Sequence, residues 1–122
     1  MKRGIIVDDA AIMRLKLREI LQDRYYILSE AENGCEAVEQ AIKLKPDFIT
    51  MDITMAEMNG IDALQKIVSC CPDVKIIMVS AVATPSNVVQ ALKLGAKHFI
   101  KKPFESDKVL SVLASVFNNG AG

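Results

Sequence analysis

Apolar residues come along this chain in two rhythms. The first is continuous: short runs rich in β-branched residues, apolar on successive positions, at Gly4 to Val7, Phe48 to Met51, Val74 to Val79 and Lys97 to Ile100, with a weaker run at Tyr26 to Ser29. Neighbouring side chains on a strand point to opposite sides, so such runs predict strands covered on both faces, the condition of a parallel sheet. The second rhythm has a spacing of three and four. It runs through Met13, Leu17, Ile20 and Leu21; Ala37, Val38, Ala41 and Ile42; Ile61, Leu64, Ile67 and Val68; Val88, Ala91 and Leu92; and Val109, Val112, Leu113 and Val116. Each set predicts a helix that lays one apolar stripe on the sheet. Punctuation agrees. Thr84 before Pro85 predicts an N-cap with proline at the first helical position, Gly95 marks a helix end, and Pro46 and Pro72 close the second and third helices. Strand–helix pairs in succession predict one doubly wound α/β domain over residues 1–117, followed by a short flexible tail, residues 118–122, that reads as a frayed end or the stub of a linker.

Composition narrows the class. A chain of 122 residues with 51% hydrophobic content can bury a core of its own without disulfides or a structural metal. Fifteen basic residues balance fifteen acidic ones, which removes any broad electrostatic pull toward nucleic acid or an anionic membrane and leaves partner choice to a local surface. No apolar run is long enough for a signal peptide or a membrane span. Cys35, Cys70 and Cys71 have no metal-ligand spacing, and the single His98 cannot complete a zinc site. This cysteine usage fits a reducing, cytoplasmic compartment. The adjacent Cys70 and Cys71 are read as helix-end packing in preference to a redox pair.

The chemistry is concentrated where the runs end. Functional groups of an open parallel sheet gather beyond the carboxyl ends of its strands. Asp8 and Asp9 follow the first run, Asp52 the third, Ser80 the fourth and Lys102 the fifth. Glu30 and Glu32, after the second, are expected to begin the next helix. Each residue alone has an ordinary reading: Asp9 as a helix cap, Asp52 as a turn residue, Ser80 as a satisfied hydroxyl, Lys102 as a loop charge. Together they do not. Three carboxylates converging on one pocket would cost several kcal/mol unless a cation sits among them, and a hard divalent ion with oxygen ligands, Mg²⁺ before Ca²⁺, is the natural occupant. A metal beside a carboxylate, with an ammonium and a hydroxyl nearby, is a set of parts for phosphoryl transfer. Asp52 is the candidate nucleophile, since Asp8 and Asp9 share one strand end and are better placed as ligands.

The segments IIVDDA, FITMDITMAEMNG, MVSA and FIKKPF, in this order and spacing, resemble the receiver domain of two-component response regulators, most closely its single-domain, CheY-like type. The resemblance implies a flavodoxin-like five-stranded sheet of order 2-1-3-4-5. It implies that a sensor histidine kinase phosphorylates Asp52, and that Asp8, Asp9 and Asp52 hold Mg²⁺ with the Thr54 backbone carbonyl. Lys102 and Ser80 would contact the phosphate, and Phe99 matches the family's switch aromatic. It also implies a cis Lys102–Pro103 bond and a downstream protein partner, whether a flagellar motor, a phosphotransfer protein or another, read on the face of the fourth helix, fifth strand and fifth helix. The protein would be a signalling switch, monomeric or weakly dimeric, that dephosphorylates itself, and not an enzyme acting on an outside substrate.

Departures from the family pattern bear on this reading. Ala56 stands where the family usually has proline, which removes a fixed φ from the loop after Asp52. Ser80 replaces the commoner threonine and Phe99 the alternative tyrosine. Three other readings compete: a receiver excised from a longer regulator with a DNA-binding or enzymatic output domain, an aspartyl-phosphate phosphohydrolase, and a flavin-binding module. The second commonly uses another aspartate two residues after the nucleophile, where this chain has Thr54. The third needs a first loop rich in hydroxyls and glycine, unlike DDAAIM.

Overall fold

The two rhythms fold into alternating strands and helices. A computed structural model describes residues 1–118. The elements are β1 (Arg3–Val7), α1 (Ala11–Leu21), β2 (Tyr26–Ala31), α2 (Gly34–Leu44), β3 (Phe48–Met51), α3 (Gly60–Cys70), β4 (Lys75–Ser80), α4 (Pro85–Lys93), β5 (His98–Lys101) and α5 (Ser106–Asn118). All strands pair in parallel, in the order β2-β1-β3-β4-β5. This is the expected flavodoxin-like order. Among the described residues no helix is long and apolar enough to cross a membrane.

Each continuous apolar run divides its residues between two cores. Ile5 and Val7, Ile49 and Met51, and Ile76 and Met78 face one side, where Ala37 and Ala41 of α2, Leu64 and Ile67 of α3 and Ala91 of α4 close over them. Ile6, Phe48, Ile77, Val79 and Ile100 face the other, against Leu17 and Leu21 of α1 and Val109, Val112 and Leu113 of α5. Each fully buried aliphatic side chain contributes about 1.5–3 kcal/mol, so burial on two faces is what fixes strand register here.

Helix ends follow from their local sequence. Asn33 accepts from the Glu36 N–H at α2, Asn59 from the Ile61 and Asp62 N–H groups at α3, and Thr84 from the Asn87 N–H at α4, with Pro85 in the first turn. Gly95, just past α4, has φ +118°, a conformation that L side chains rarely adopt. Helix α1 differs: its N-cap is Ala10, with no side-chain cap.

Several boundaries differ from expectation. Strand β2 continues to Ala31, so Glu30 lies in a strand and not at the start of α2. Because β2 is an edge strand with half-exposed faces, it tolerates a glutamate whose charge is met by Arg14 and Arg18 from α1. Strand β4 includes Ser80, and β5 begins at His98. Helix α5 takes in Asn118, and residues 119–122 of the expected tail lie outside the described residues.

Candidate functional site

The ends of β1, β3, β4 and β5 meet at one rim of the sheet, and the polar residues collect there. Asp8 follows β1 with only 1% of its surface exposed, and Asp52 follows β3 at 7%. Asp9, next to Asp8, is exposed. Carboxylate oxygens of Asp8, Asp9 and Asp52 lie within 4.8 Å of one another, and among the described residues this is the one such group of acidic, cysteine or histidine side chains. The backbone fixes the two strand ends side by side: the Asp52 N–H donates to the Val7 carbonyl at 3.1 Å.

Lys102 reaches into this cluster from the end of β5. Its Nζ donates to Asp8 Oδ2 at 2.6 Å and to Asp52 Oδ2 at 3.3 Å. Burial pushes the ammonium toward neutrality, but the bond from Asp8 and the charges of Asp52 and Asp8 outweigh it, and the Lys102 pKa ends above its ordinary value. The ammonium thus stays charged and offsets the repulsion between buried carboxylates. The remaining oxygens are held by backbone: Asp8 Oδ1 accepts from the Ala10 N–H at 2.9 Å and Asp52 Oδ1 from the Ile53 N–H at 2.7 Å. The Lys102–Pro103 bond is cis.

Ser80, at the end of β4, is 1% exposed, and its Oγ accepts from the Val82 N–H at 3.2 Å. Its carbonyl accepts from the Lys102 N–H at 3.0 Å, which ties the loops after β4 and β5 together. Phe99 lies near the start of β5, back from the rim and partly buried, beside a cavity of about 210 Å³ that Val88 and Leu92 of α4 also line. It is in neither of the two extreme positions, exposed or fully buried, between which a switch aromatic would move.

The loop after Asp52 carries Thr54 at an exposed position. Glu57 takes the left-handed φ of 65°, and the loop is tied at both sides: Met58 accepts from the Gly34 N–H at 2.9 Å, and the Gly60 N–H donates to the Ile53 carbonyl at 2.7 Å. Gly60 is required by this return, since a Cβ there would run into the Asp52 carbonyl oxygen. These ties hold the loop in place despite Ala56.

Sequence reasoning missed the support behind Asp8. Arg14, four residues before Arg18 on α1, donates from Nη1 to the Asp8 carbonyl at 2.7 Å and from Nε to Glu30 Oε1 at 3.0 Å; Arg18 Nε donates to Glu30 Oε2 at 2.7 Å. The i, i+4 spacing of two arginines on one helix face was the available signal. Burial raises the Glu30 carboxyl, but the bonds and charges of Arg18 and Arg14 win and hold it below its ordinary 4.5. A carboxyl with a depressed pKa contributes stability that is present above the unfolded value and lost as pH falls through the folded one. Melting temperature is therefore expected to fall as pH drops below about 4.5, with Glu30→Gln less stable at neutral pH but losing less over that interval. Parallel pH profiles for the two proteins would contradict the assignment.

The response regulator receiver domain model matches residues 5–114. The chain is 51% identical to the chemotaxis protein CheY of Thermotoga maritima over 116 residues, 94% of this chain and 97% of that one. To the chemotaxis protein CheY of Bacillus subtilis it is 46% identical over 117 residues, 95% and 98% of the two chains. Among solved structures, the CheX–CheY–BeF₃–Mg²⁺ complex from Borrelia burgdorferi superposes with a TM-score of 0.93 at 35% identity, covering 95% of this chain and 89% of that one. With the sheet order, the acidic rim and these similarities together, the chain belongs to the response regulator receiver domain family and is CheY-like along nearly its whole length.

Proposed function

We propose that this protein is a phosphorylation-controlled switch in which Asp52 accepts a phosphoryl group from a histidine kinase. The observation that carries the reading is the convergence of Asp8, Asp9 and Asp52 with one ammonium, Lys102, bonded to two of them. The donor set fits Mg²⁺, being hard oxygens with one exposed member through which a hydrated ion can enter. Asp8, Asp9, Asp52 and the Thr54 backbone carbonyl would hold it. When bound, the ion supplies positive charge opposite the phosphoryl oxygens.

The chain's own residues do the rest. Asp52 Oδ1 is pinned by the Ile53 N–H, which leaves Oδ2 as the attacking oxygen. A bond forms from Oδ2 to phosphorus as the bond from phosphorus to the donor's imidazole nitrogen breaks, giving an aspartyl phosphate. Lys102, already beside Oδ2, then meets a phosphoryl oxygen. The Ser80 hydroxyl donates to another while still accepting from the Val82 N–H, so the loop after β4 is drawn inward with it. That movement opens space for Phe99 and changes the face formed by α4, β5 and α5, on which a downstream protein partner reads the signal. The kinase and partner belong to the cytoplasm, in keeping with three free thiols.

Phe99 has no hydroxyl, so its inward position is held by apolar burial alone. Full burial from water is worth about 1.5–3 kcal/mol, and a side chain already half-buried gains about 1 kcal/mol, a population shift of about fivefold. Ser80→Ala is expected to accept phosphate but to leave this shift undone. In amide chemical-shift maps, wild-type phosphorylation should perturb both the pocket and the α4–β5–α5 face, and the variant the pocket alone. Full perturbation of that face in Ser80→Ala would rule out the proposed coupling.

A further inference from the structure

At the opposite end of the sheet from Asp52, two thiols meet in a cavity. Cys70 is the last residue of α3 and Cys71 its C-cap. On a helix, adjacent side chains do not face each other. Here they do, because Cys71 leaves the helix at φ −135°, ψ 69° and turns back, bringing the two Sγ atoms to 3.5 Å. Cys70 is exposed and Cys71 partly so. The pair borders a cavity of about 480 Å³ lined by Ile42, Pro46, Pro72 and Val74 and by the charged Lys45, Asp47 and Asp73. That volume is within the range of small-molecule sites.

The geometry disfavours a disulfide and favours a bridge. Adjacent Cα atoms lie about 3.8 Å apart across a trans peptide, closer than the roughly 4.4–6.8 Å that a disulfide spans. One interposed atom removes the conflict. With bonds of about 2.3 Å to each sulfur, a bridging centre would subtend an angle of about 100° at the observed separation, close to tetrahedral. No third cysteine, histidine or carboxylate, Asp47 and Asp73 of the cavity wall included, gathers with the pair at metal-ligand distances among the described residues, so a four-coordinate zinc site is not formed. Burial, then the neighbouring Cys70, raise the Cys71 thiol against the opposing charge of Lys45.

We propose that Cys70 and Cys71 form a vicinal-dithiol site for a soft centre satisfied by two sulfurs, namely a trivalent arsenical carrying one organic group, which Ile42, Pro46, Pro72 and Val74 accommodate. Binding changes no oxidation state. The arsenic–oxygen double bond of an organoarsenous oxide is replaced by two arsenic–sulfur bonds, and the oxygen leaves as water with both thiol protons. The reaction needs no thiolate, in keeping with a raised Cys71.

Phenylarsine oxide, added to the full chain in excess monothiol, tests this by intact-mass spectrometry. Wild type and Cys35→Ser should each keep one phenylarsenic group. Cys70→Ser and Cys71→Ser should lose it, with apparent affinity down about a hundredfold or more, the usual gain from linking two weak sites. Either serine variant binding like wild type, or Cys35→Ser losing the adduct, would overturn the proposal. A measurement on unmutated protein stands beside it: in the adduct, iodoacetamide should alkylate Cys35 and spare both Cys70 and Cys71. Alkylation of either of the pair would equally overturn it.

Discussion

Asp9→Ala is expected to slow phosphorylation by a small phosphodonor by about a hundredfold or more, close to abolition, because a bound ion supplies several kcal/mol of charge stabilisation to the transferring group. The fold should not suffer. Asp9 is exposed and its side chain makes no hydrogen bond among the described residues, whereas its carboxylate shares a rim with Asp8 and Asp52. Removing one of three like charges relieves repulsion, so the metal-free melting temperature should be unchanged or higher. Titration calorimetry with Mg²⁺ and a mass time course with and without the ion check both halves. Normal phosphorylation of Asp9→Ala would show that the metal ligands lie elsewhere.

Lys102→Ala should have the opposite effect on the metal-free protein. Asp8 is almost wholly buried and rests on Lys102 at 2.6 Å, so the variant leaves a buried carboxylate without its cation. Breaking such a pair from one side costs about 3–5 kcal/mol in a closed interior. This rim opens to water through Asp9, and a loss of about 2 kcal/mol is expected here. Mg²⁺ bound at the same carboxylates would replace the missing charge. The ion should therefore raise the melting temperature of Lys102→Ala more than that of wild type, by an amount that recovers most of the loss. An equal Mg²⁺ response in the two proteins would mean that Lys102 and the ion do not compensate the same carboxylates. Phosphorylation of the variant should persist in part, while its effect on β5 is lost.

Much of this site was legible in the sequence because a parallel sheet makes it so. Continuous runs such as Phe48 to Met51 and Val74 to Val79 locate buried strands, and the residues just after them must then share a rim; Asp8, Asp52, Ser80 and Lys102 follow from that rule. The failures lie where burial is partial. In β2 the apolar signal fades after Leu28, yet the backbone keeps pairing with β1 through Glu30 and Ala31, since hydrogen bonding along an edge strand does not depend on apolar side chains. Glu30 was thus expected in a helix. Its tie to Arg14, and through Arg14 to the Asp8 carbonyl, is a tertiary contact between groups 16 residues apart, and the i, i+4 spacing of Arg14 and Arg18 marks a basic helix face without naming its partner. The start of α1 agrees with setting aside the cap reading of Asp9: no side chain caps the helix, and the Ala10 N–H goes to Asp8. The half-buried state of Phe99 depends on how closely α4 packs on β5, which spacing alone does not give.

The central claim is that Asp52 is the phosphoacceptor. Intact-mass spectrometry after incubation with a small phosphodonor and Mg²⁺ tests it most directly, on wild type and on Asp52→Asn, with peptide mapping to place the group. Wild type should gain a single phosphoryl group, on Asp52, that base removes as it does other acyl phosphates. Asp52→Asn should gain none. A phosphoryl group on Asp52→Asn at the wild-type level, or one mapped in wild type to another residue, would contradict the assignment.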